Sequence, residues 1–453
     1  MSHYKPYPAY KESGVEWIGN VPQHWAVMHL GKLATDRCDG PFGSGLKSEH
    51  YETDGVRVIR LQNIGWASFK GDDAVFISHD HWSKTLRSGH AVKPNDVLIA
   101  GLGDQNNPLG RACVAPTDLG DALVKADCYR FRLHRNRVVP QFVALALSAT
   151  ATAECGSMAT GATRDRLNLE LASVRRVPLP PHEEQRAIVK VLDRETARID
   201  ALIAKKTEFI ELLAKKRQAL ITHAVTKGLN PKATMKDSSV EWIGEVPEHW
   251  NVVQVRHVAR LGSGHTPSRS RPDWWEDCYI PWFTLADIWQ VRREGRRYIF
   301  ETEETVSDLG IANSSATVHP AGSVVLSRTA SVGFPAIMGC DMATSQDFAV
   351  WRCGKRLHNE FLYLVLLGMK QELSCLMIGS THKTIYMPDI EAFRMPLPSV
   401  DEQKAIVEHV DTETKRIDRL AELTTTSIDL LKKRRSALIT AAVTGQIDLR
   451  ESA

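Results

Sequence analysis

Four short stretches carry residue types that do chemistry in other proteins, and each misses the spacing that chemistry needs. Residues 40–48 read GPFGSGLKS. A phosphate-cradling loop needs G-x-x-x-x-G-K-[ST], so that the lysine directly after the second glycine reaches the phosphates. Here Leu46 displaces Lys47 by one position. Two readings stand side by side: a flexible glycine turn, or a loop whose main-chain N–H groups approach a phosphate backbone. Residues 182–185, HEEQ, lack the second histidine of a zinc-binding helix, and His79-Asp80-His81 is an isolated pair without distant partners. Asn106-Asn107-Pro108-Leu109 does not meet the [ND]-P-P-[YF] pattern with which an adenine methyltransferase holds a flipped base. No catalytic residue and no metal ligand is therefore assigned, and the chain is expected not to be an enzyme.

The 453 residues exceed one ordinary core and predict two or three domains. Hydrophobic residues at 43% and charged residues at 25% fit a globular chain. Fifty-seven Lys+Arg against 54 Asp+Glu leave a net charge of +3, so any basic surface must be local. The eight cysteines form no C-x-x-C pair, and the polar start MSHYKPYPAYKESG has no signal-peptide pattern. Apolar runs fall far short of the roughly 20 residues that span a bilayer. A cytoplasmic protein without membrane contact is expected.

The elements that must position any site are written twice. Residues 11–25 (KESGVEWIGNVPQHW) and 236–250 (KDSSVEWIGEVPEHW) agree at 11 of 15 positions. Residues 178–226 are echoed by 396–444 at an offset of 218. In the trailing blocks Ile188, Leu192, Ile199, Leu202, Phe209, Leu213 and Leu220 keep a 4-3 spacing, and Ile406, Val410, Ile417, Leu420, Leu431 and Leu438 hold the same register. Neither run contains Gly or Pro, and prolines precede both. Such a rod, roughly 65 Å long, needs a partner, and the other copy is the obvious one. Glu195 and Glu413 interrupt the seam, either fixing the pairing or reaching solvent. Between the repeated blocks lie two dissimilar segments, 26–177 and 251–395. Strand-like runs fall at 56–61, 96–100, 129–133, 279–285, 323–327 and 348–352, and helical stretches at 140–153 and 360–376.

This frame of leading block, variable segment, PLP-x-x-x-EQ-x-A-I-V entry and long heptad helix, run twice, resembles the specificity subunits of type I restriction-modification systems over the whole chain. GPFGSGLKS and GSGHTPS at 262–268 look like openings common in that family's target recognition domains. The implied fold is α+β: two mixed α/β target recognition domains separated by two long helices that pair as an antiparallel coiled coil, in a pseudo-two-fold repeat. The segments are then a leading block (1–25), a first recognition domain (26–177), a central helix (178–227), a linker with the second leading block (228–250), a second recognition domain (251–395), a C-terminal helix (396–445) and a tail (446–453). The resemblance implies that each domain reads one half of a split, asymmetric target in double-stranded DNA, while the helices set the spacer and dock two methyltransferase subunits. Restriction subunits complete such complexes. No cofactor is expected on this chain; S-adenosylmethionine, ATP and magnesium belong on the partner subunits.

Base edges are read by Arg, Lys, Asn, Gln, Ser and Thr, and phosphates are held by cations, hydroxyls and turn N–H groups. On that chemistry the first segment offers Ser44, Lys47, Arg60, Gln62, Asn63, Gln105, Asn106, Thr163 and Arg164. The second offers Ser263, His265, Thr266, Arg328, Gln346, Thr381, His382 and Lys383. Each also reads as an ordinary turn or surface residue. Trp274, Trp275, Trp282 and Trp289 suit base stacking or core anchoring, whereas Trp17, Trp25, Trp242 and Trp250 recur in the shared frame and suit packing. Three other readings compete: a specificity subunit of a restriction-free or related methylation-based phage defence, a coiled-coil adaptor that binds only proteins, and an enzyme with an unrecognised site, which would require clustered titratable groups common to both halves.

Overall fold

The computed structural model describes residues 4–158, 166–379 and 383–450. The chain forms two compact units, Met1–Lys206 with Thr426–Ala453, and Thr207–Thr425. The division falls inside two long helices, His182–Lys227 and Val400–Val443. Each unit thus holds the N-terminal part of one long helix and the C-terminal part of the other.

Both helices begin with carboxylates in the first turn, Glu183 and Glu184 or Asp401 and Glu402, which suit the positive end of the helix dipole. They are followed by glycines in the left-handed conformation, Gly228 at φ +72° and Gly445 at φ +75°, a stop that spares the Cβ penalty. In the first unit Asp200 pairs with Arg435 at 2.9 Å, and in the second Asp418 pairs with Arg217 at 3.3 Å. These are the same two positions, 218 residues apart, each closing within its own unit. In the second unit Ile221, Ala224 and Val225 share a core with Ile406, Val407 and Val410. In the first, Ile188, Val189, Val191 and Leu192 share one with Leu438, Ile439, Ala442 and Val443.

The seam differs in its middle from the 4-3 pattern. Ile188, Leu192, Ile199, Leu213, Ile406, Val410, Ile417 and Leu438 are buried, but Leu202, Phe209 and Leu420 are 43%, 42% and 47% exposed, and Ile221 rather than Leu220 is buried. A helix of 3.6 residues per turn drifts about 20° per heptad from a 3.5 repeat, which carries a strict heptad seam off the contact line.

The variable segments share one framework. In the first unit Cys128–Leu133 lies between Ala34–Cys38 and Val97–Ala100, all antiparallel, and Val56–Ile59 runs parallel to Ala122–Val124. In the second unit Phe348–Cys353 lies between Ala259–Ser263 and Val324–Ser327, and Ile280–Phe283 runs parallel to Ala343–Thr344. Each of the six predicted strands overlaps an observed one to within two residues at either end. Their ends differ where the chain turns into short 3-10 helices, Leu61–Asn63 and Leu285–Ile288. The first predicted helix is Pro140–Met158; the second breaks at Gly368 into Asn359–Gly368 and Lys370–Cys375.

Each variable segment leaves and rejoins the frame through a two-stranded antiparallel ladder. Ala26–His29 pairs with Arg176–Leu179, and Asn251–Gln254 pairs with Arg394–Leu397. Among the described residues no helix is long and apolar enough to cross a membrane.

Candidate nucleic-acid interface

The repeated residues build the support. The Gln185 amide accepts from Val139 N–H at 2.8 Å and donates to the carbonyls of Pro180 at 2.9 Å and Arg137 at 3.2 Å. The Gln403 amide accepts from His358 N–H at 2.8 Å and donates to the carbonyls of Arg356 at 2.9 Å and Pro398 at 3.0 Å. Both glutamines are fully buried, so each entry motif clamps its variable domain to its long helix. The preceding glutamates diverge. Glu184 accepts from Tyr7 at 2.8 Å, His24 at 2.8 Å and the Trp25 indole at 3.1 Å, and burial followed by this bond pushes the Tyr7 phenol far above its ordinary pKa. Glu402 meets His249 at 3.3 Å, while the buried Trp250 indole N–H has no partner among the described residues. Helix stops meet these tryptophans: a Cβ on Gly228 would lie 3.0 Å from the Trp250 ring, and one on Gly445 would overlap Pro22.

On this support, the second unit gathers several candidate residues at one sheet end. The backbone of Gly264 passes so close to Thr344 that any Cβ would overlap its carbonyl, and His265 N–H donates to that same oxygen at 3.0 Å. Thr266 Oγ1 donates to Gln346 Oε1 at 2.8 Å. Arg328 Nε donates to the main-chain oxygen of Gln346 at 3.0 Å, and Arg328 N–H to that of Asp347 at 2.8 Å. Ala330 N–H bonds the Lys383 carbonyl at 2.9 Å. His265, Gln346 and Lys383 are exposed and Thr266 and Arg328 half-buried. Ser263 contributes to the framework, its hydroxyl donating to Phe348 O at 2.9 Å.

The first unit has the same junction with other side chains. Gly40 passes against Val124 and Lys125 as Gly264 does against Thr344. Asp39 Oδ1 accepts N–H groups from Gly40 at 2.6 Å and Asp127 at 3.0 Å, and burial, with Asp127 adding repulsion, pushes its pKa up to about 6. The Arg166 guanidinium pairs with Asp127 at 2.9 Å, lies 5.7 Å from the centre of the exposed Phe42 ring and keeps its side chain 49% exposed. Lys125 Nζ donates to Tyr51 OH at 2.7 Å. Leu167 N–H bonds Gly101 O just as Ile385 N–H bonds Arg328 O. Arg166, Lys125, Asp127 and Asp39 are not among the sequence candidates; the run TRDR at 163–166 is a local signal for Arg166 alone.

The remaining candidates lie elsewhere. Arg60 and Gln62 both bond Asp73. Asn63 corrects its expected role: it is 1% exposed, accepts from Arg60 N–H and donates to Lys70 O and Asp72 O, so it holds a turn and presents no amide at the surface. Lys47 is exposed and faces Glu49 at 3.4 Å. Gln105 and Asn106 are exposed on a loop organised by Asp104, whose carboxylate accepts from Asn106 N–H and from Asn107. Ser44 falls in the Gly43–Gly45 turn. Its side chain, and Thr163, Arg164, Thr381 and His382, lie outside the described residues. Trp282 is a core residue, whereas Trp275 is half-buried with the Arg269 guanidinium 3.8 Å from its ring centre.

The chain matches known proteins along most of its length. Residues 247–432 match the family model described as type I restriction modification DNA specificity domain. The chain is 27% identical to a Methanocaldococcus jannaschii protein described as the type I restriction enzyme MjaX specificity subunit, over 96% of both chains. It is 28% identical to the MjaVIII specificity subunit of the same organism over 61% of this chain; that match spans 63% of the relative's length. A solved structure concerned with complex assembly and conformational transition of the type I restriction-modification system shares the fold at a TM-score of 0.69 and 18% identity, covering 94% of this chain and 99% of that one.

Proposed function

The chain belongs to the type I restriction-modification specificity-subunit family, and from that premise we propose that it is the non-catalytic reader of a bipartite, asymmetric site in double-stranded DNA. Each variable domain reads one half-site. The two long helices, pairing as an antiparallel coiled coil, set the spacer and dock two methyltransferase subunits, with restriction subunits joining the complex. S-adenosylmethionine, ATP and magnesium are held by those partners, and the complex works in the cytoplasm.

The observation that carries this reading is the pairing of one repeated clamp with two unlike surfaces. Gln185 and Gln403 make the same three bonds in both units, yet the sheet ends they support present Arg166 and Lys125 in one unit and Gln346, Arg328 and His265 in the other. Equal supports with unequal readouts suit a target whose halves differ. The test is a genome-wide map of methylated adenines in cells carrying this chain and its neighbouring methyltransferase. A split motif should appear only with the chain, and replacing residues 26–177 with another subunit's variable domain should change one half alone. A map indifferent to the chain refutes the reading.

A further inference from the structure

The two units differ most in chemistry where they agree most in backbone. At one end of the sheet built around Cys128–Leu133 or Phe348–Cys353 a glycine, Gly40 or Gly264, lets the chain cross the exit of a neighbouring strand with no room for a side chain. Beside it runs the loop that enters the central strand, 125–127 or 345–347, which accepts from Gly101 N–H or Arg328 N–H; the next residue on that neighbouring chain, Leu102 or Thr329, bridges to Arg166 or Thr384. We infer that this glycine-crossed sheet end is the base-reading edge of each unit, with Gln346 reading in the second and Arg166 in the first; the inference rests on the functional reading above.

Both side chains are long, exposed and held in place. Thr266 fixes the oxygen of the Gln346 amide and Arg328 fixes its backbone. The amide nitrogen and the second lone pair of that oxygen give the donor and acceptor pair that matches N7 and N6 of adenine. Asp127 holds one edge of the Arg166 guanidinium, whose fork matches O6 and N7 of guanine. Holding a reader before the base arrives lowers the ordering cost of binding, so Thr266, Arg328 and Asp127 are positioning residues. The turn after the adjacent strand does not serve both units in this way: it offers Gln62 in the first but Ala286 in the second.

The test is the same methylation map with single variants of the full chain. Gln346→Ala should relax one A·T position of one half-site, with methylation of the mismatched sequences rising about ten- to hundred-fold, and leave the other half intact. Arg166→Ala should relax one G·C position of the opposite half. An unchanged motif, or relaxation by both variants in the same half, overturns the inference. Where an alanine variant abolishes methylation, Gln346→Glu and Arg166→Lys decide. Gln346→Glu replaces the donor with an acceptor and should move preference towards cytosine; Arg166→Lys loses the fork and should accept more than guanine. The original motif at a lower level, or renewed complete loss, overturns the assignment, because a reader sets which sequence is methylated. A wild-type chain that directs no split motif refutes the functional reading instead.

Discussion

The entry-motif glutamines give a quantitative test of how each domain is held. Gln185→Ala removes three hydrogen bonds and leaves the Val139 N–H and the carbonyls of Arg137 and Pro180 in a fully buried site. At about 1 kcal/mol net per bond, and up to about 3 kcal/mol for each polar group left dry, the loss lies between about 3 and 9 kcal/mol. The vacated side-chain volume admits a water molecule that re-satisfies part of the set, and alanine returns a few tenths of a kcal/mol in helix propensity. The expected cost is therefore about 3 kcal/mol. Hydrogen exchange across a urea series, read peptide by peptide, should show the fall in Pro140–Met158 and not in Asn359–Gly368. Gln403→Ala should give the mirror image, since its three bonds have the same lengths within 0.3 Å. A loss below about 1 kcal/mol, or equal losses in both units from either variant, refutes the reasoning.

Two further outcomes follow from the first unit. Glu154 and Arg175 form an ion pair with no solvent exposure, and Arg175 also donates to the carbonyls of Gly110 and Leu147. Glu154→Gln should cost about 3–5 kcal/mol, and the double change Glu154→Leu with Arg175→Met should recover only part of it, because the carbonyls of Gly110 and Leu147 and the Arg176 N–H lose a partner; a single-variant loss under about 1 kcal/mol in denaturant titration argues against this. The second unit supplies the apolar precedent, with Phe393 at the position matching Arg175 stacked 6.3 Å from Trp351. Asp39 has a folded pKa of about 6, above the roughly 3.9 of an unfolded aspartate. Between these values the folded state binds more protons, so stability falls as pH rises from about 4 to 6 and levels off above. Asp39→Asn keeps the acceptor oxygen, and thermal melts should show its advantage over wild type growing across that window; a pH-independent difference contradicts the assignment.

Much of this fold is written in local pattern. The long helices carry an uninterrupted apolar period, and strands such as VLIA at 97–100 and VVLS at 324–327 announce themselves by continuous apolar content. What local pattern does not hold is the meeting of distant residues. The repeat drew attention to the EQ pair, but its role depends on carbonyls 48 and 5 residues away. Asn63 looked like a reader at a strand end because its type suits one; only its burial reveals an internal bond network. Arg166 gains its place from Asp127, 39 residues distant, and periodicity says nothing of such a pairing. Leu202 and Phe209 fit a heptad yet face outwards because the helix, not the heptad, sets the angle.

The paired strands at the base of each variable domain bear on inheritance. Chain that enters and leaves at neighbouring strands, about 4.8 Å apart, closes a loop whose cost grows only with the logarithm of its length. The seven-residue difference between the two segments therefore changes closure by less than about 0.1 kcal/mol. Gene segments joined within the codons for Ala26–His29 and Arg176–Leu179, or Asn251–Gln254 and Arg394–Leu397, would encode a foldable protein almost regardless of the length between them. Recombination at those codons can trade whole variable segments while Gln185, Gln403 and the long helices that carry them stay unchanged.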